Sequence, residues 1–303
     1  MRQICVLLIV FCLLFWQCEK DEEINHKLSY LIGLNSFYDI IKYSVDENEY
    51  DTLSKLETDL IPDESTSISG ETYTVMHLTE DSKLRLTSLN SNSGIVESEI
   101  EIDNLIYGIE LSKETNTAYG LTSLGMNNYN LSKININTGE LSVLSSSIEG
   151  LQDNSPSTLI EKSNLYIVIA ISSAAEVIAI NYKSGQVAQE IIIPSEELKI
   201  SKIYSIEYNT RDGYLYILAK HYEYGFCLIK FNLFEKKFEK VIENIDIELD
   251  VINTAIDSQN NYYILQYDTF ETGKLIVIDL LEYQVTKEIN KFKIQFALQA
   301  FNI

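Results

Sequence analysis

Apolar and polar positions repeat along the chain with one pattern. Six segments align without gaps: 40–50 (IIKYSVDENEY), 86–96 (LTSLNSNSGIV), 131–141 (LSKININTGEL), 177–187 (VIAINYKSGQV), 228–238 (LIKFNLFEKKF) and 275–285 (LIVIDLLEYQV). Their starts lie 46, 45, 46, 51 and 47 residues apart. The opening residues of each copy alternate in the manner of a strand, which ends on Ser44, Asn90, Asn135, Asn181, Asn232 or Asp279. A short polar side chain there can hydrogen-bond the backbone of the turn that follows. Four residues later stands Asn48, Gly94, Gly139 or Gly185, replaced by Lys236 and Tyr283 in the last two copies. Gly and Asn tolerate the positive φ of a tight hairpin, so the pattern predicts strand, turn and strand in every copy.

A second marker keeps the same period. Tyr30, Tyr73, Tyr119, Tyr166, Tyr216 and Tyr263 are spaced by 43, 46, 47, 50 and 47 residues, each inside an apolar run such as 165–168 (LYIV). The later copies are preceded by another short strand and a polar turn, as in 203–207 before Tyr216 and 253–257 before Tyr263. Four short strands per period of this length predict one propeller blade. The copy at Tyr30 lacks an innermost strand before it, and the last copy is followed by a surplus strand at 296–301. Placing that strand inside the blade of Tyr30 hides the sheet edges of an open array. The expected fold is therefore all-β: a six-bladed β-propeller with four-stranded blades over residues 28–303, closed by a C-terminal strand joining the N-terminal blade.

The stretch 254–265 (TAIDSQNNYYIL) resembles the inner hairpin of repeats in the NHL-like and lactonase-like six-bladed propellers, and the likeness extends by period over 28–302. That group includes scaffolds, sugar and peptide binders, lactonases and lyases. The resemblance implies the fold and leaves the chemistry open.

The chain begins with Arg2 and an apolar run at 4–16, followed by Gln17 and Cys18. Thirteen residues fall short of the ~20 that cross a bilayer as a helix, so 1–17 reads as a signal peptide. The segment 14–18 (LFWQC) resembles a lipobox, although Gln17 replaces the small residue usual before the cysteine. The acidic run 19–23 (EKDEE), within a tether at 18–27, resembles that of surface-exported lipoproteins of Bacteroidetes-type Gram-negative bacteria. The resemblance implies lipidation at Cys18 and display on the outer membrane or cell surface, exposed to periplasm or exterior. A general secretory leader cleaved elsewhere is the competing reading. With Cys5 and Cys12 in the leader and Cys18 lipidated, Cys227 is the one thiol left, and its apolar neighbours suggest a buried, inert side chain.

Charge narrows the partners. The chain has 45 Asp and Glu against 23 Lys and Arg, a net charge of −22, which becomes 22 − 45 = −23 once the leader and its Arg2 are removed. Nucleic acid is excluded as a partner because phosphate binding needs clustered cations, and only Arg85 and Arg211 would remain among the arginines. An anionic membrane surface is disfavoured on the same ground, leaving the lipid anchor as the membrane contact.

In propellers the loops from second to third strand, and those between blades, surround one mouth of the ring. Together with Phe37, the candidate ligand-binding residues on or beside the second-to-third loops are Tyr38, His77, Tyr129, His221, Tyr222, Tyr224, Tyr267 and Phe270. Exposed rings amid polar side chains suit a glycan or peptide groove, whereas buried ones would cap the blades as core. The loops between blades are acidic, carrying Asp59, Asp63, Glu64, Asp103, Asp153, Glu196, Glu197, Asp246, Glu248 and Asp250. Such carboxylates suit Ca²⁺, but none has the spacing of a calcium loop, and solvated surface is the competing reading. Glu110, Glu161, Glu207 and Asp257 fall at similar places in the inner hairpins and read as structural turn residues. No G-x-S-x-G, Walker A or H-E-x-x-H occurs, and His26, His77 and His221 are isolated. The expectation is a binding or interaction module for a glycan, a peptide or an envelope partner protein, with no catalytic residue and no cofactor assigned. The alternative is a lactonase-like hydrolase or lyase holding Ca²⁺ in the channel.

Overall fold

The computed structural model describes residues 29–58, 66–112, 115, 117–125, 128–152, 154–171, 174–223, 225–247, 252–268 and 273–302. The leader, Cys18 and the tether lie outside them, as do Tyr224, Phe270 and, of the interblade acids, Asp59, Asp63, Glu64, Asp153, Glu248 and Asp250. The described residues form six antiparallel sheets, five of four strands and one with a small fifth strand, Ile148–Glu149. Numbered in chain order, blade 1 joins the C-terminal strand Phe296–Asn302 to Ser29–Leu34, Asp39–Ser44 and Glu49–Lys55. The innermost strands of blades 2 to 6 are Thr66–Ser69, Ile106–Ser112, Ser157–Ile160, Ile200–Tyr208 and Ile252–Asp257. Each lies beside the next, and that of blade 6 lies beside Phe296–Asn302, so the ring is closed.

Local chemistry explains the hairpins. All six turn positions take a left-handed backbone: Asn48, Gly94, Gly139, Gly185, Lys236 and Tyr283 have φ of 59, 70, 73, 71, 56 and 52°. The side-chain oxygen at the preceding strand end caps each turn, as where Asn90 Oδ1 accepts from the backbone N–H of Asn92 and Ser93 at 3.0 and 3.1 Å. At Gly185 the requirement is also steric, since a Cβ would stand 1.9 Å from the Leu144 carbonyl of the preceding blade.

The marker tyrosines do not all face the same way. Tyr30, Tyr119 and Tyr216 stand opposite Ser44, Lys133 and Lys230, whereas Tyr73, Tyr166 and Tyr263 stand opposite Leu89, Ile180 and Ile278. Because side chains alternate along a strand, a partner one step over turns the ring to the other face. The marker tyrosines therefore fall in shared core clusters two by two: Tyr30 and Tyr73 between blades 1 and 2, Tyr119 and Tyr166 between blades 3 and 4, Tyr216 and Tyr263 between blades 5 and 6. The other three interfaces hold no marker tyrosine and are mostly aliphatic, as with Met76, Leu86, Ile109 and Ile134 between blades 2 and 3. The ring is thus three pairs of blades.

Between blades 6 and 1 the chain is clasped at its ends. Ser29 Oγ hydrogen-bonds the Asp257 carboxylate and accepts from Asn260 Nδ2 at 2.7 Å, while Lys287 Nζ donates to the Val45 carbonyl. Cys227 is buried and unpaired, and burial pushes its thiol up to about 11, so it stays protonated.

Candidate functional site

Two places in the ring gather polar groups that strand formation does not explain: the inner ends of two blade interfaces, and a groove at the mouth.

Glu110 and Glu207 stand directly opposite Tyr119 and Tyr216 on the innermost strands of blades 3 and 5. Glu161 lies instead in a short 3-10 turn after its strand, and Asp257 one step on, opposite Tyr262. The four acids are therefore not one repeated turn position, because similar distances along the chain conceal different registers. The equivalent residue of blade 1 is Phe301, whose ring lies 5.6 Å from that of Tyr30. Each glutamate points to the next blade: Ser157 Oγ donates to Glu110 at 3.3 Å, and Thr254 Oγ1 to Glu207 at 2.8 Å. Around them Tyr166 donates to the Gly108 carbonyl at 2.7 Å, and the Tyr263 hydroxyl bonds Ser205 Oγ at 2.6 Å. Burial pushes the Glu207 carboxyl up to about 8, against the pull of the Thr254 hydrogen bond. Burial, and then the negative charge of Glu207, raise Glu110 well above the usual carboxylate range. A carboxyl raised to about 8, as that of Glu207, is mostly protonated at neutral pH, and a protonated carboxyl can donate as well as accept a hydrogen bond.

The groove lies where blade 6 meets blade 1, on the face of the second-to-third loops. It is lined by Asn35, Ser36, Phe37, Gly273, Lys291, Phe292, Lys293 and Gln295, and forms a hollow of about 310 Å³ that is largely open to solvent. Its frame is fixed from below. Phe292 is buried and meets Tyr43 edge-on at 5.2 Å, with Tyr50 at 6.0 Å. The Gln295 N–H donates to the Leu34 carbonyl at 2.7 Å, and the Gln295 carbonyl accepts from Asn253 Nδ2 at 3.1 Å. Asn35 shapes the facing loop, accepting from the N–H groups of Phe37 and Asp39 at 2.9 Å each. The Phe37 ring is 70% exposed.

The residues anticipated for ligand binding are spread over several blades. Tyr129 and Tyr267 are buried: Tyr129 meets Tyr107 edge-on at 6.1 Å, and Tyr267 donates to the Asp246 carbonyl at 3.5 Å. His77 is buried between blades 1 and 2, where Nε2 bonds Thr87 Oγ1 at 2.9 Å and burial lowers its pKa. His221 is buried too, and its Nδ1 accepts from the Glu223 N–H at 3.1 Å. Tyr38 is half-buried against the core of blades 1 and 2, with φ of 59°. Tyr222 projects, 61% exposed. Of the six that fall among the described residues, the groove joins none. Phe37 was visible as a loop aromatic, but its meeting with Lys291 and Lys293 follows only from ring closure. Among the described residues no three His, Cys, Asp or Glu side chains converge as a metal site requires.

No family model matches the chain, and no curated protein matches its sequence. Solved structures do match in shape. TolB from Acinetobacter baumannii superposes with a TM-score of 0.64 at 8% identity, over 90% of this chain and 66% of that one. A nidogen/laminin complex gives 0.61 at 9% identity, over 90% and 98%. A putative 6-phosphogluconolactonase from Bacteroides uniformis gives 0.59 at 13% identity, over 91% and 99%. At these identities the likeness is one of fold, a six-bladed propeller whose neighbours differ in function.

Proposed function

We propose that this chain is a lipid-anchored envelope propeller that recognises a glycan, peptide or partner protein at its mouth. The observation that carries this reading is the groove between blades 6 and 1: a preformed hollow with an exposed aromatic ring and polar side chains on a rigid frame. The occurrence of the same ring shape in TolB and in a nidogen/laminin complex supports a role in association. Anchorage rests on the leader, and Cys18→Ala should move the protein from the membrane fraction to the soluble one. Retention in the membrane would count against lipidation there. Recognition is tested by thermal shift of the full chain with panels of oligosaccharides and peptides. A ligand that raises the midpoint supports the reading, and no response to any compound, with no partner captured stoichiometrically, contradicts it.

A second reading, a lactonase-like hydrolase or lyase, is favoured by one observation: Glu110 and Glu207 are two protonatable carboxyls on the inner strands, and the charge of Glu207 raises the pKa of Glu110. A putative 6-phosphogluconolactonase shares the ring shape. In this reading channel carboxylates hold Ca²⁺, and chelation should lower the unfolding midpoint and abolish lactone hydrolysis. A binding module should be indifferent to chelation.

A further inference from the structure

We propose that the groove between blades 6 and 1 binds the carboxylate of an acidic sugar, a uronic-acid residue of a saccharide. The inference deepens the reading that the mouth recognises a ligand, and rests on it.

Charge is the first argument. The chain has about two acids for every base, yet among the described residues the groove is lined by two lysines and no carboxylate. Lys291 and Lys293 make no ion pair among the described residues, in contrast to Lys274 nearby, which meets Glu288 at 3.6 Å. Lys293 extends over the Tyr50 ring, its ammonium 4.7 Å from the centroid, a contact that leaves its N–H donors unused. Lys291 is held in a left-handed conformation, φ 61°, where the ladder slips between Gly273 and Lys274. The bulge sets it beside Phe292 on the groove wall. Two lysines without an ion pair among the described residues, on a hydrogen-bonded frame, favour an anion in the groove.

The remaining lining says which anion. The Gln295 side-chain amide and the Ser36 hydroxyl make no hydrogen bond among the described residues, which suits a ligand with several hydroxyls. The exposed face of Phe37 offers a platform for the C–H face of a pyranose ring. At about 310 Å³ the groove is at the small end of ligand sites, room for a short saccharide and not for an extended peptide. A bare phosphate would use the lysines but leave the ring idle.

The test is calorimetric titration of the purified full-length protein with a galacturonic-acid trimer, its methyl ester, inorganic phosphate and a glutamate hexapeptide. The acid trimer should bind, the ester at least tenfold more weakly, and raising the salt should weaken the acid selectively. Lys291→Glu with Lys293→Glu should abolish binding and Phe37→Ala weaken it about tenfold, with unfolding midpoints unchanged because all three side chains are exposed. Failure of both galacturonic and glucuronic oligomers to bind, or binding indifferent to the lysine changes, would overturn the proposal. Tighter binding of the peptide or of phosphate would overturn the assignment to a sugar. A neutral glycan or a protein bound elsewhere on the mouth would also overturn it while leaving the broader recognition role intact.

Discussion

The groove and the blade interior treat their polar groups in opposite ways. Inside, Glu110 and Glu207 are each held by a hydroxyl of the next blade, and the Tyr166 and Tyr263 hydroxyls reach across the same interfaces. At the mouth the frame of the groove is hydrogen-bonded, but among the described residues the side chains of Lys291, Gln295 and Phe37 are not committed, and Lys293 only lies over the Tyr50 ring. The interior spends its bonding capacity on joining blades, which makes it a source of stability. The groove keeps its capacity for something outside the chain. The same strand-and-turn repeat builds both, and the difference arises where blade 6 meets blade 1.

The sharpest way to break this contrast is to open the ring that holds both regions. Deleting residues 296–303 takes away the inner strand of blade 1 and opens the ring at the clasp of Ser29 and Asp257, so cooperative unfolding should be lost by calorimetry. A cooperative transition near the original temperature would show that closure is not structural. Next in size, Tyr263→Ala empties a fully buried site between blades 5 and 6 and should cost ~3–5 kcal/mol in denaturant unfolding. Tyr263→Phe, losing only the hydroxyl that bonds Ser205 and Thr254, should cost about 1–2 kcal/mol.

The acids give a pH signature. A carboxyl raised in the folded protein, such as Glu207 at about 8, keeps a proton that the unfolded chain releases near 4.5. Its favourable contribution is complete below the unfolded value and is lost as pH rises through about 8. The unfolding midpoint should therefore fall between pH 5 and 9, and Glu207→Gln should flatten that fall by roughly 5 °C, a shift that ~1–2 kcal/mol produces in a domain of this size. Equal slopes in the two proteins would mean that Glu207 ionises freely. The smallest effect belongs to the mouth: Lys291→Ala with Lys293→Ala should change stability by less than about 1 kcal/mol, as expected of exposed groups that lose only the contact of Lys293 with the Tyr50 ring. A larger loss would place the lysines in the structural class with the interior acids.

Much of the architecture was legible because it repeats. The capping residues Asn90, Asn135 and Asn181, the left-handed positions from Asn48 to Tyr283, and the surplus strand at 296–301 each carry a local requirement that residue type reveals. The pairing of blades left a fainter mark. The third residue of the repeated segment is Lys42, Lys133 or Lys230 in blades 1, 3 and 5, and Ser88, Ala179 or Val277 in blades 2, 4 and 6. Lys42 and Lys230 reach the next blade, bonding Asn92 at 3.3 Å and Tyr283 at 2.8 Å, which fits the direction of the odd-blade tyrosines. The distinct standing of Glu110 and Glu207 was hidden because a displacement of one residue reverses a side chain while hardly changing a spacing. The loop aromatics were visible, yet sequence does not say which loop residues are drawn under the blades, as Tyr129 and Tyr267 are, and which project, as Phe37 and Tyr222 do. The groove itself unites residues 35–37 with 291–295, and nothing local announces that meeting.

Amide hydrogen exchange of the full chain with and without the acidic trisaccharide tests the central contrast most directly, since it reads both regions in one experiment. The account predicts slowed exchange confined to peptides covering residues 35–37 and 291–295, with the inner strands Ile106–Ser112 and Ile200–Tyr208 unchanged. Slowing centred on those inner strands, with the mouth unaffected, would contradict it and move the functional site to the interior acids.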